Sequence, residues 1–185
     1  MKNLLLSFAL LLALHGSAQV RTFSPTGTRM SDPNPISVIG STALTTLYTD
    51  SISANNLSLG KYYSFRIDLA ATTPLVNVGT ITITLKYGTG TLVVANGAVL
   101  VGSLNNAPII ITGTIVSRGL NSQYVTMNIS QPNGTVINLP LSSSAMRGIM
   151  SVDASVTQNV TVTLQLGGTV TGTTITRDFA VRYDF

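Results

Sequence analysis

The feature that most constrains this chain is a two-residue alternation of apolar and hydroxyl side chains that recurs along it. Over 80–87, Ile81, Ile83, Leu85 and Tyr87 fall on one face, with Thr80, Thr82, Thr84 and Lys86 on the other. Over 159–166 the pattern returns, with Val160, Val162, Leu164 and Leu166 against Thr161, Thr163 and Gln165. Period two belongs to a strand with one buried and one solvated face; a helix would scatter the same residues around its circumference. Further strands are expected over 44–52, 62–69, 92–94, 99–101, 109–116, 124–129, 136–141, 149–152 and 173–183. Asn96-Gly97 and Asn133-Gly134 read as tight turns between strands, and Gly88-Thr89-Gly90 and Gly167-Gly168 as further turns. Pro108, Pro132 and Pro140 are placed where strands begin or end. Many short strands at regular spacing imply an all-β antiparallel sandwich or barrel.

Composition narrows the options. Charged residues make up 9% of the chain, against roughly 25% in ordinary soluble domains. There is no Glu and no Trp, while β-branched Thr, Val and Ile are abundant. The absence of Cys excludes disulfides, thiolate zinc sites and lipid attachment through an N-terminal cysteine. A chain of 185 residues is the size of one domain and can bury a core without such staples.

Residues 1–18 have the three parts of a secretory signal: the basic start Met1-Lys2-Asn3, an apolar run over 4–14, and Gly16-Ser17-Ala18 before Gln19. Cleavage is expected between Ala18 and Gln19. The apolar run is shorter than the roughly 20 residues a membrane helix needs. Residues 19–35, with Pro25, Pro33 and Pro35, read as a linker, and 36–185 as a single β domain. Export to the extracellular space, a cell surface or a virion is expected, with periplasm or outer membrane as the alternative.

Removing the signal removes His15, the only histidine. Ser/His and Cys/His catalysis and histidine metal sites are then excluded, and no cofactor is expected. Lys61 and Lys86 carry no motif for a Ser–Lys pair. Among the six acids, Asp68 lies on an expected strand where it can pair with an arginine, and Asp50 and Asp153 read as turn or strand-end residues. Gly88-Thr89-Gly90 lacks the Lys-Ser/Thr and the helix of a phosphate loop. The seven arginines are scattered in sequence, so nucleic acid is not an expected partner. The chain is therefore expected to bind or assemble and not to be an enzyme. Exposed aromatics are the usual platforms for sugars, and the candidate ligand contacts are Tyr62, Tyr63 and Tyr124. One of the adjacent Tyr62 and Tyr63 must face away from the other. Phe179, Val181, Tyr183 and Phe185 alternate with Ala180, Arg182 and Asp184. That pattern fits the closing strand of a sandwich, or alternatively the terminal strand of a small outer-membrane β-barrel.

Across roughly 43–166 the chain resembles the jelly-roll-like β-sandwich domain of tailed-bacteriophage tail-fibre, spike and head-decoration proteins. The residues carrying the resemblance are Leu47-Tyr48, Ile52-Ser53-Ala54-Asn55-Asn56-Leu57 and Gly60, then Arg66, then Thr84-Leu85-Lys86-Tyr87-Gly88. They continue with Ile115-Val116-Ser117-Arg118-Gly119, Val152-Asp153 and the run over 160–166. A secretory signal and the Tyr-Asp-Phe ending are not part of that pattern. The resemblance implies an antiparallel, jelly-roll-like β-sandwich that is structural or adhesive. It would partner with itself as a homo-oligomer, a trimer above all, with other appendage proteins, or with a surface glycan. The alternative is a monomeric bacterial surface carbohydrate-binding or adhesin domain.

Overall fold

The computed structural model describes residues 30–74, 79–100, 103–132, 137–138, 145–168 and 171–184. The strands are β1 (Met30–Asp32), β2 (Ile36–Ile39), β3 (Thr45–Ile52), β4 (Tyr62–Thr73), β5 (Gly79–Tyr87) and β6 (Gly90–Leu100). They continue with β7 (Leu104–Gly119), β8 (Ser122–Ser130), β9 (Ile137–Asn138), β10 (Ala145–Met150), β11 (Gln158–Gly168) and β12 (Thr174–Asp184). One sheet runs β1-β12-β4-β7-β8-β10, with β2 also on β12; the other runs β3-β11-β5-β6-β9. The pairings are antiparallel, and the chain changes sheet at every connection except β1–β2, β5–β6 and β7–β8. This is an all-β, jelly-roll-like sandwich, as the resemblance implies.

The two sheets do not close on each other. That overturns the outer-membrane barrel as an alternative, because a spanning barrel must have no free edge. The apolar halves of the alternation face inward, toward the other sheet. Ile81, Ile83, Leu85 and Tyr87 of β5 and Val160, Val162, Leu164 and Leu166 of β11 meet Phe65, Ile67, Leu69, Ile109, Ile111, Ile115, Val125 and Met127 of the larger sheet. At about 25 cal/mol per Å² of apolar area this core is the main favourable term.

Several turn and strand assignments change. Expected strand 92–94 and the described part of expected strand 99–101, residues 99–100, are one strand, β6, and Asn96-Gly97 lies inside it instead of turning. The register against β5 slips twice beside it, between Ile81/Ile83 and between Ile83/Thr84, so the extra residues are absorbed as bulges. Gly167-Gly168 pairs with Thr80 and Gly79 as the end of β11. Pro108 sits within β7, opposite Ala70, not at a strand end. Gly88-Thr89 is the turn of the β5–β6 hairpin, closed by the Tyr87–Gly90 pair. Gly88 has φ of +53°, and a Cβ there would lie 2.7 Å from Cγ1 of buried Val152, so both backbone and packing favour glycine. The 19–35 stretch contributes β1, which pairs with Ala180–Arg182 of β12. Residues 1–29, the turn Asn133-Gly134 and Pro140 lie outside the described residues.

Three of the dispersed stretches that carry the resemblance, around 52–60, 115–119 and 152–153, meet at one end of the sandwich. Gly60 N donates to Ser117 O (3.2 Å), Ser117 N to Lys61 O (3.0 Å), Ala154 N to Leu120 O (2.8 Å) and Asn55 N to Ala154 O (2.9 Å). Buried Gln123 binds them together: its Nε2 donates to Gly119 O, Leu120 O and Val152 O, and its Oε1 accepts from Val152 N.

Candidate binding face

A bulge decides which side chains β12 sends outward. Arg177 pairs with Leu69 and Phe179 with Asp68, so Asp178 is an extra residue and the alternation flips there. Before the bulge Ile175 and Arg177 point inward and are buried; after it Ala180 is buried on the inner side. Phe179, Val181 and Tyr183 then stand opposite Asp68, Arg66 and Ser64 on the other side of the larger sheet, where Phe179 is exposed, Tyr183 half-buried and Val181 buried. The apolar half of the C-terminal alternation is therefore not the core half, as a simple closing strand would have it.

The inward arginines join the two sheets. Arg177 donates to Leu47 O on β3 (2.6 Å), to Asp32 Oδ2 (2.7 Å) and to Asn34 O. Arg182 donates to both oxygens of Asp50 (3.2 and 3.0 Å) and lies 5.3 Å from the Tyr63 ring. Tyr48 and Tyr63 hydroxyls contact each other and lie 3.1 and 2.8 Å from Asp50 Oδ2. Tyr48 stacks on Phe65 with centroids 5.3 Å apart. Burial pushes both phenols well above the ordinary tyrosine range.

These contacts take Tyr63 out of the candidate ligand contacts: it is 1% exposed and part of the core. Its neighbour Tyr62 takes the opposite face, as neighbours in a strand must. Tyr62 pairs with Val116, Val116 with Tyr124, and Tyr124 with Ile149. Directly opposed residues share a face, so these four form one row across β4, β7, β8 and β10. All are at least partly exposed, Ile149 to 66%. The next outward row is Tyr183, Ser64, Thr114, Thr126 and Arg147, followed by Val181, Arg66, Thr112 and Asn128. The Arg118 guanidinium lies over the Tyr124 ring, 4.9 Å from its centroid. Arg66 and Asp68 form a two-point ion pair (Nη2–Oδ1 2.7 Å, Nε–Oδ2 2.9 Å), the pairing expected of Asp68.

The structure thus brings Tyr62 and Tyr124 onto one face and separates Tyr63 from them. Sequence reasoning missed Val116, Ile149, Tyr183, Arg118 and Arg147 as members of this face. The signal for Tyr183 was present in its alternation with Arg182; the others needed the strand register. Lys61 precedes β4 and Lys86 stands exposed on β5. Asp153 caps its own loop: the Ser155 hydroxyl and then the Ser155 backbone N–H (2.8 Å from Oδ1) hold its carboxyl below the usual range.

No protein-family model matches the chain. No curated protein matches it either. Among solved structures it is similar to the CBM2 module of the evolved Dit of Lactobacillus casei BL23 phage J-1, at 11% identity and a TM-score of 0.36, over 74% of this chain and 68% of that one. It is similar to lectin II from Ulex europaeus at 9% identity and a TM-score of 0.38, over 85% and 98%. A third similarity is to infectious bursal disease virus, Gx strain, at 13% identity and a TM-score of 0.35, over 85% and 42%. At these identities and scores, nothing of those proteins' chemistry comes to this chain.

Proposed function

We propose that this chain is an exported, non-catalytic module that assembles an appendage or attaches to a surface, with the outer face of its seven-stranded sheet as the attachment contact. The row Tyr62–Val116–Tyr124–Ile149 carries this reading. A solvated sheet face is ordinarily polar along its length; here one row of four is aromatic and aliphatic, and the rows beside it are mostly uncharged hydroxyls and amides. Such a face loses little on desolvation and presents rigid rings, which suits binding. Part of the stretches resembling phage appendage domains, around Gly60 and 115–119, lies at the same end as this row, because β4 starts and β7 ends there.

Light scattering on the purified chain in size exclusion, without detergent, tests the assembly half of this reading. A stable homo-oligomer, a trimer above all, supports an appendage role, and a soluble monomer favours the carbohydrate-binding or adhesin role. Hydrolysis of any offered polysaccharide would sink both, because both are non-catalytic.

A further inference from the structure

Resting on the outer face as the contact surface, we infer that it binds an acidic polysaccharide: sugar rings pack on Tyr62, Tyr124 and Tyr183, and Arg118 and Arg147 take the sugar carboxylates. Tyr62 and Tyr124 stand two strands apart, about 9.6 Å at the usual strand spacing. Tyr183 stands one strand across from Ser64 in the adjoining row. Between the rings lie Ser64, Thr114 and Thr126, whose hydroxyls both donate and accept, as sugar hydroxyls do. Apolar ring faces with a few convergent polar groups make a platform for the C–H faces of sugars.

Charge selects the class of sugar. The ion pairs among the described residues are Arg66–Asp68, Arg177–Asp32 and Arg182–Asp50. Arg118 and Arg147 belong to none of them, and both are exposed on this face. Arg118 is held against Tyr124, and Arg147 stands opposite Thr126, the next outward position along β8. The two rows they flank contain no carboxylate among the described side chains; Asp68 is two rows further on and bound to Arg66. Two guanidiniums lacking an acidic partner beside a hydroxyl surface complement a sparse polyanion. A neutral glycan would leave them unused. Nucleic acid, with one charge per about 1.7 Å of duplex, would need a denser basic stripe. A second copy docking through the same face would set these arginines against their own kind.

The test is calorimetric titration of the full chain with a galacturonate hexamer, a neutral glucose hexamer of equal length, and single-stranded DNA. The galacturonate oligomer should bind, and the neutral one at least roughly tenfold more weakly. Tyr124→Ala should weaken galacturonate binding roughly tenfold, while Tyr124→Phe retains it. Arg118→Gln with Arg147→Gln should abolish the preference for the acidic oligomer. Raising salt from about 0.05 M to about 0.5 M should weaken binding. Circular dichroism and urea midpoints confirm that these surface variants fold. Equal affinity for the neutral hexamer overturns the inference, as does DNA binding that ignores Tyr124→Ala, or no binding to any probe by the folded protein. New reducing ends in the same samples would instead overturn the non-catalytic reading itself.

Discussion

The side chain of Gln123 and the backbone of Val152 exchange two hydrogen bonds, Nε2 to O at 2.9 Å and Val152 N to Oε1 at 3.2 Å. An amide side chain here imitates a strand partner for a loop that has none. Gln123→Leu should leave Val152 N and O and two further carbonyls without their partner, and a buried orphaned group costs about 1–3 kcal/mol. The expected loss is at the upper end of that range, read as a lowered urea midpoint at unchanged slope. Gln123→Glu, which accepts but cannot donate when ionised, should recover little of it.

Asp50 and Asp68 are both ion-paired, but their environments differ. The Arg182 partner of Asp50 is 16% exposed, and two tyrosine hydroxyls that bridge the sheets also reach Asp50, whereas the Arg66 partner of Asp68 is 41% exposed. Asp50→Ala should cost about 3 kcal/mol because it removes the carboxylate that a largely buried guanidinium and two buried phenols share. Asp68→Ala should cost less than about 1 kcal/mol, as exposed pairs do. Paired denaturation curves of the two variants check the contrast.

The tyrosines also set the alkaline limit. Burial raises the phenol values of Tyr48, Tyr63 and Tyr87 above those of the unfolded chain. Below the ordinary tyrosine value, about 10, folded and unfolded chains hold the same phenol protons and stability is unaffected. Above it the unfolded chain releases protons that the fold retains, so stability falls as pH rises. The tyrosinate absorbance of these three buried phenols should therefore appear in a cooperative step that coincides with loss of the β-sheet circular dichroism.

Gly113 faces Phe65 across β7 and β4, and a Cβ there would lie 2.2 Å from the ring's Cζ. The ring is held by its stack on Tyr48. Gly113→Ala should destabilise by about 1–3 kcal/mol through overpacking, and Phe65→Leu in the same chain should recover part of that loss in a double-mutant cycle.

Much of the strand map was legible in advance. The runs over 80–87 and 159–166 became β5 and β11 with the expected residues inward, because a half-buried strand can satisfy its pattern in only one orientation. Asn96-Gly97 misled because a dipeptide that suits a tight turn also suits a bulge, and only the β5 partner distinguishes them. The C-terminal alternation misled for a related reason: the extra residue Asp178 inverts the faces midway, and periodicity counted along one strand cannot show where its neighbour skips.

The candidate face was legible only in fragments. Tyr62 and Tyr124 could be singled out as aromatics on strands, but their shared row depends on the Tyr62–Val116 pairing, between residues more than fifty positions apart. Arg118 and Arg147 look scattered in the chain and share one face because β7, β8 and β10 lie side by side.

The sequence by itself determined that this protein is all-β, and which residues of its most regular strands are core, since side-chain alternation and β-branched composition act locally. Tertiary structure alone decided that two arginines of β12 point inward, that Tyr63 is core while Tyr62 is surface, and that an aromatic row crosses four strands. Those outcomes depend on register and bulges, which are set by cross-strand hydrogen bonding and core packing between distant segments, and no local pattern carries that information.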